Sequence, residues 1–363
     1  MRNFTKHTSS KKGRIPSSST FCRSANALLI LIPAFIFLSC SAEVPDALPL
    51  SEGKQWKLKL HISSESGWQD RNIRGKAVDV FIFNDDGLRR IDSYQRLTAG
   101  NEPYIDAASR KGKKIVTAIV NPQEKDYEWN SISSFESVAG IYTDLRLEDP
   151  EFPLMSGVIH ITATDDGSFD MPVSPAMSEV YVRSIKCDFS DRPYPDARLE
   201  NASAYLTNIN SLVTLVPDGS NTPSAPMNTD GYPTESMKRM EHPEMVYAEF
   251  NEDIGTEAIY PEIRLYCYPN GSEEDTEGTP FTRLVIAGDI KGRRYYYPLN
   301  INRGEFGMSA WHSGIERNCR YIFDITIRQT GVTDPCIPVS GETVTINGTV
   351  EPWYQRPETE IEF

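Results

Sequence analysis

No two histidine or cysteine residues in this 363-residue chain stand at the spacing that tetrahedral metal sites use. His7, His61, His160, His242 and His312 are scattered, and each is expected as a surface or half-buried strand residue. No Gly-x-Ser-x-Gly elbow, phosphate loop or dinucleotide fingerprint occurs. Carboxylates number 51, but no pattern singles out a pair for glycoside hydrolysis. The expectation is therefore a chain that is not an enzyme and carries no cofactor or metal. Basic residues are scarce too. Six of the 37 lie before residue 25, which leaves 31 against 51 acidic residues and a net charge of −20. Such a surface repels phosphate backbones, so nucleic acid is not an expected partner.

A long apolar run is also missing. The stretch Ala25–Ser39 is about 15 residues, short of the roughly 20 that a bilayer-crossing helix needs, and Pro33 interrupts it. Preceded by Arg2, Lys6, Lys11, Lys12, Arg14 and Arg23 with no acidic residue, it has the layout of a secretory signal over 1–39. Phe37-Leu38-Ser39-Cys40 resembles the lipobox of bacterial lipoproteins, with Phe37 where Leu is commoner. That resemblance implies diacylglycerol on the Cys40 thiol, and two acyl chains suffice for stable anchoring. The alternative is ordinary secretion with Cys40 unmodified. Residues 40–55 carry two prolines and no periodicity, and read as a flexible tether.

Beyond the leader and Cys40 the cysteines are Cys187, Cys267, Cys319 and Cys336, which allow three pairings. Cys187 and Cys267 sit in apolar runs that favour buried free thiols. Cys319 and Cys336 are the pair best suited to a bridge.

Period-two alternation dominates from Trp56 onward. Strands are expected at 56–62, 78–83, 114–120, 158–164, 180–189, 204–210, 262–268, 321–327 and 344–350, with a hairpin over 282–299. In the first half one helix is expected, at 134–146, capped by Ser134, because Phe135, Val138, Ile141, Tyr142 and Leu145 recur at helical spacing, and a further helical turn is expected near Glu235–Met240. Many short strands punctuated by turns indicate an all-β, mostly antiparallel sandwich or barrel. The length suggests two sandwiches, 56–175 and 176–363, joined through the proline-rich stretch 172–177. Residues 217–243, with five prolines, read as a long excursion.

Glu273, Glu274, Asp275 and Glu277 lack the ligand order of a calcium loop and read as solvated. Tyr295-Tyr296-Tyr297 and Trp311 are candidates for stacking on sugar rings. Strand alternation turns Tyr296 away from its two neighbours, so one face of the trio is expected in the core.

Three stretches resemble, in order, the fimbrillin superfamily of Bacteroidetes, in particular its fimbrial anchors and minor subunits. They are Phe152-Pro-Leu-Met-Ser-Gly157, the strand Val180-Tyr-Val-Arg-Ser-Ile-Lys186, and the run from Tyr295-Tyr-Tyr-Pro-Leu-Asn-Ile301 through Gly314–Tyr321 to Asp324–Gly331. Val350-Glu-Pro-Trp353 is similar to that family's terminal strand. The resemblance implies two transthyretin-like β-sandwich domains with few short helices, display at the outer membrane, and assembly with other fimbrial subunits by donated β-strands. In stalk subunits of the family a protease cuts after an Arg behind the first strand, whereas anchors keep that strand. Arg71 and Arg74 lie between the first two expected strands and suit such a cut. Two alternatives accompany this reading. One is a tip adhesin that meets host protein or glycan through Tyr296 and Trp311. The other is a surface lipoprotein that binds polysaccharide.

Overall fold

The computed structural model describes residues 56–353, apart from 65–76, 101–103, 124, 126, 165, 218–224 and 234–236. Cys40, Arg71 and Arg74 lie outside the described residues. The first half is built from β1 (Trp56–Ser64), β2 (Ala77–Asn84), β3 (Ile91–Thr98), β4 (Tyr104–Ser109) and β5 (Gly112–Val120). It continues with α1 (Phe135–Ala139), β6 (Tyr142–Asp144), β7 (Met155–Ala163) and β8 (Gly167–Pro175). Seven of these strands pair in the order β3-β2-β5-β7-β8-β1-β4. Only Met155 and Ser156 of β7 pair with β8. At that corner the sheet folds over on itself, enclosing Leu58, Leu60, Val78, Val80, Val116, Ala118, Ile105 and Met171 in one core.

Alternation explains how β2 and β5 can be buried on both faces. Val78, Val80 and Ile82 turn into that core, while Phe81 and Phe83 turn the other way with Ile115 and Ile119 of β5. Trp129, Ile132, Val138 and Leu145 cover this second face.

The second half holds β9 (Ser178–Cys187), β10 (Glu200–Thr207), β11 (Ile209–Asn210), β12 (Leu212–Thr214), β13 (Pro226–Met227) and β14 (Tyr247–Glu249). After them come β15 (Ile263–Cys267), β16 (Arg283–Ile290), β17 (Arg293–Asn300), β18 (Cys319–Ile327) and β19 (Val344–Pro352). Two four-stranded sheets, β14-β10-β16-β17 and β15-β9-β18-β19, face each other. Leu206, Leu284, Ile286 and Leu299 of one meet Val180, Val182, Leu265 and Phe323 of the other. This core is continuous with the outer face of β2 and β5. The fold is all-β and mostly antiparallel; parallel pairs are β1 with β8 and β9 with β18.

One expectation needs correction. The helix is only Phe135–Ala139, because Gly140 ends it and Tyr142–Asp144 pairs instead with Leu212–Thr214 of β12. Backbone pairing with this distant segment of the same chain overrides the helical spacing of the apolar residues. Ser134 stands at the helix start, but its side chain makes no cap bond. The proline-rich stretch 172–177 runs from the end of β8 to the start of β9. Pro172 and Pro175 belong to β8, and Ala176 and Met177, which join β8 to β9, are fully buried.

Candidate functional site

β1 occupies the middle of its half-sheet. Six of its residues pair antiparallel with β4, Trp56 with Ser109 through His61 with Tyr104. On the other edge seven pair parallel with β8, Leu58 with Gly167 through Ser64 with Val173. Its even-numbered apolar residues Leu58, Leu60 and Ile62 are buried beneath it. At about 1.5–3 kcal/mol for each buried side chain, the strand contributes on the order of 5–9 kcal/mol of apolar burial. The segment 65–76, with Arg71 and Arg74, leads from β1 to β2. A cut there frees β1 at its C-terminal end, and loss of β1 would bare both an apolar trough and two backbone edges.

Pro153 to Gly157 of the Phe152–Gly157 motif each make a defined contact near where the two halves meet. The Pro153 carbonyl accepts from Asn121 Nδ2 at 3.0 Å, and the Leu154 N–H donates to Glu148 Oε2 at 3.0 Å. Met155 begins β7, and Ser156 Oγ donates to the Leu215 carbonyl at 2.6 Å. At Gly157 a Cβ would collide with the Pro172 carbonyl, so β7 can cross β8 this closely only with glycine. Arg317, from the second half, donates to the Thr214 and Leu215 carbonyls.

Glu148 lies at the same junction and is 1% exposed. Tyr268 Oη donates to its Oε1 at 2.7 Å. Burial pushes the Glu148 carboxyl up to about 7, although bonds from Tyr268, Leu154 and Gln123 oppose the shift. Glu148 also lines a polar cleft of about 490 Å³ together with Arg96, Asn121, Gln123, Glu241 and His242. On the far sheet Glu179, with a side chain 2% exposed, pairs with Arg264 at 2.5 Å and Arg320 at 3.1 Å, and Arg320 reaches Glu351 at 3.3 Å. Arg183, from the Val180–Lys186 strand, pairs with Asp324 of β18. These ion pairs knit β9, β15, β18 and β19 together.

The tyrosine trio follows strand alternation. Tyr297 is fully buried in the large core and Tyr295 packs against it, while Tyr296 joins Tyr205, Val285 and Ala287 on the outer face. Tyr232, from the 217–243 excursion, meets Tyr296 edge-on with centroids 5.6 Å apart. Trp311 is 80% exposed on the turn after β17. Tyr296 is thus half covered by the protein itself, and Trp311 is the bare aromatic of the pair. The Cys319–Cys336 bridge is not formed; both are free thiols, as are Cys187 and Cys267. Cys319 opens β18 opposite Pro352, whereas Cys336 abuts Gly231 and offers its carbonyl to Arg283. In the acidic loop, Asp275 is engaged by Arg283 and by the Phe281 N–H at 2.9 Å, and Glu273, Glu274 and Glu277 are exposed.

One grouping escaped the sequence reading. His312, Glu316 and Cys319 converge, with one ligand-type atom of each within 4.8 Å of the others. A search confined to second histidines and cysteines misses it. The signal was a Glu four residues after the His, on a turn that doubles back before the Cys.

No known family profile and no curated protein matches the sequence. Solved structures do. A candidate cell adhesion protein of Parabacteroides distasonis superposes with a TM-score of 0.60 at 13% identity, over 84% of this chain and 98% of that one. A fimbrilin of Porphyromonas gingivalis gives 0.58 at 14% identity, over 82% and 97%. A C-terminally truncated tip fimbrial protein of the same organism gives 0.50 at 13%, over 83% and 100%. At such low identity these likenesses establish one thing: the chain has the fold of those fimbrial and adhesion proteins over nearly their whole length.

Proposed function

We propose that this chain is a non-catalytic structural subunit of a cell-surface fimbria, an anchor or accessory subunit that assembles by strand exchange and contributes to adhesion. Its two domains are β1–β8 and β9–β19, and a lipid on Cys40 holds it to the outer membrane. The observation that carries the reading is β1: a middle strand over an apolar trough, followed by a segment with two arginines. Retained, β1 closes the trough and suits an anchor that ends the polymer. Removed after Arg71 or Arg74, it leaves a groove for a partner's strand. The shared fold with fimbrial proteins supports the same reading.

Mass spectrometry of the native surface form tests it. An acylated N-terminus at Cys40 is expected for an anchor, and one at Asn72 or Gly75 for a processed subunit. A soluble cytosolic product starting at Met1 would defeat both. A second reading, a tip adhesin, is favoured by Trp311, whose side chain stands free at 80% exposure. Binding to host protein or glycan that is lost in Trp311→Ala would support that reading.

A further inference from the structure

Where the turn after β17 meets the start of β18, three side chains converge that the assembly role does not use. His312 Nδ1 lies 3.7 Å from Glu316 Oε2, and the three candidate donors fall within 4.8 Å of one another, the Cys319 sulfur included. Zinc bonds of about 2.0–2.3 Å in tetrahedral geometry set donor atoms roughly 3.3–3.7 Å apart. The nitrogen–oxygen edge is within about 0.4 Å of that of such a tetrahedron, and the sulfur needs to close by about 1.2 Å at most.

The backbone beneath the three is fixed. Asn302 Nδ2 donates to the carbonyls of His312 at 3.2 Å and Gly314 at 3.0 Å. Gly314 takes φ +82°, and any Cβ there would strike Arg303 and the Asn270 carbonyl. Ser178 Oγ holds the Glu316 carbonyl, and Cys319 is paired to Pro352.

Tyr321 then orients the donors. Its buried hydroxyl accepts from the Glu316 N–H at 2.9 Å and lies 3.0 Å from His312 Nε2. A phenol has one proton and two lone pairs. When His312 donates from Nε2 to this hydroxyl, the Nδ1 lone pair is left on the side of Glu316 and of Ser309 Oγ, 3.4 Å away. Metal-bound histidines are commonly oriented in this way, through a hydrogen bond from the ring nitrogen that does not bind metal.

We propose that His312 Nδ1, the Glu316 carboxylate and the Cys319 thiolate bind one zinc ion, with water as fourth ligand. The thiol proton leaves to solvent as the Zn–S bond forms. The ion would pin the turn that carries Trp311 to the start of β18.

The test uses the full chain, reduced and metal-free, titrated with zinc by calorimetry and with cobalt(II) by visible absorption. One saturable ion per chain is expected, with a tetrahedral cobalt spectrum and a sulfur-to-cobalt charge-transfer band. Cys319→Ser should abolish that band. His312→Ala and Cys319→Ser should each weaken zinc binding at least roughly tenfold, the smaller of the losses seen when even a ligand's hydrogen-bond partner is removed. Glu316→Gln, at a half-exposed position that leaves the core intact, should weaken it as well. The double variant Glu274→Gln, Glu277→Gln should bind as the native chain does. Absence of saturable binding, an octahedral cobalt spectrum without charge transfer, or unchanged affinity in Glu316→Gln and Cys319→Ser would overturn the site.

Discussion

Glu148 makes stability depend on pH in the direction opposite to a salt-bridged carboxylate. Its ordinary value of 4.5 is raised to about 7 in the folded chain, chiefly because burial disfavours the charged form. The folded state therefore holds a proton that the unfolded state has released between those two values. Stability from this group is fully present below the unfolded value and is lost as pH rises through the folded one. A shift of two to three units is worth about 3 kcal/mol at 1.36 kcal/mol per unit. Asp79, also raised by burial, adds to the fall, whereas Asp92, Asp144 and Asp324 are lowered and act only in acid. Glu148→Gln isolates the effect. The amide cannot ionise, and its NH2 must face either the Leu154 N–H or the Tyr268 hydroxyl, a fixed cost of about 1–3 kcal/mol. Urea unfolding of both proteins from about pH 5 to pH 8 should show the variant weaker in acid, with the gap closing by about 3 kcal/mol as pH rises. Parallel curves over that range would refute the assignment.

Other expectations follow from the same contacts. Leu60→Ala, under the middle of β1, should cost about 2–5 kcal/mol in urea unfolding; a loss within 0.5 kcal/mol, the range of about ±0.5 kcal/mol typical of surface changes, would mean that β1 does not seal the core. Gly157→Ala should cost about 1–3 kcal/mol or more, because the new methyl group meets the Pro172 carbonyl rather than a flexible side chain. A thermal melt that matches the native protein would show that β7 can move away. Trp311→Ala should leave the unfolding midpoint within about 0.5 kcal/mol of native, as an exposed position allows. If adherence to host cells is unchanged as well, Trp311 is not an adhesive contact.

Much of this fold was legible because burial on one face of a strand writes itself as alternation. Trp56–Ile62 and Thr282–Leu299 are clear cases, and in the hairpin the turn narrows to Lys291-Gly292, both at positive φ, with strand on either side. β3 and β4 were not legible. Ile91-Asp-Ser-Tyr-Gln-Arg-Leu-Thr98 buries Asp92 and Ser93, which it can do because Asp92 pairs with Lys114 at 3.0 Å and Arg110 at 2.8 Å. Those partners come from β5 and from the turn before it, so no local pattern announces them. β8 was hidden for another reason. Two prolines argue against a strand, yet β8 shares only two residue pairs with β7: Pro172 lies outside both, and Pro175 is the strand's last residue.

For the assembly role, what sequence could not supply is the position of β1 within its sheet. Neighbouring strands stand about 4.8 Å apart, so removing β1 separates β4 from β8 by roughly 9–10 Å, the width of one strand. Only a single incoming strand would fit, and to reproduce the pairing of β1 it would run parallel to β8 and antiparallel to β4. It must also place apolar side chains where Leu58, Leu60 and Ile62 now sit, because a one-residue slip would turn every one of them to the opposite face. An edge strand imposes none of these demands, since any extended segment can pair with it in several registers. Any specificity of the proposed exchange would therefore rest on β1 being internal, and that depends on β8 turning the corner from β7 through the contact at Gly157.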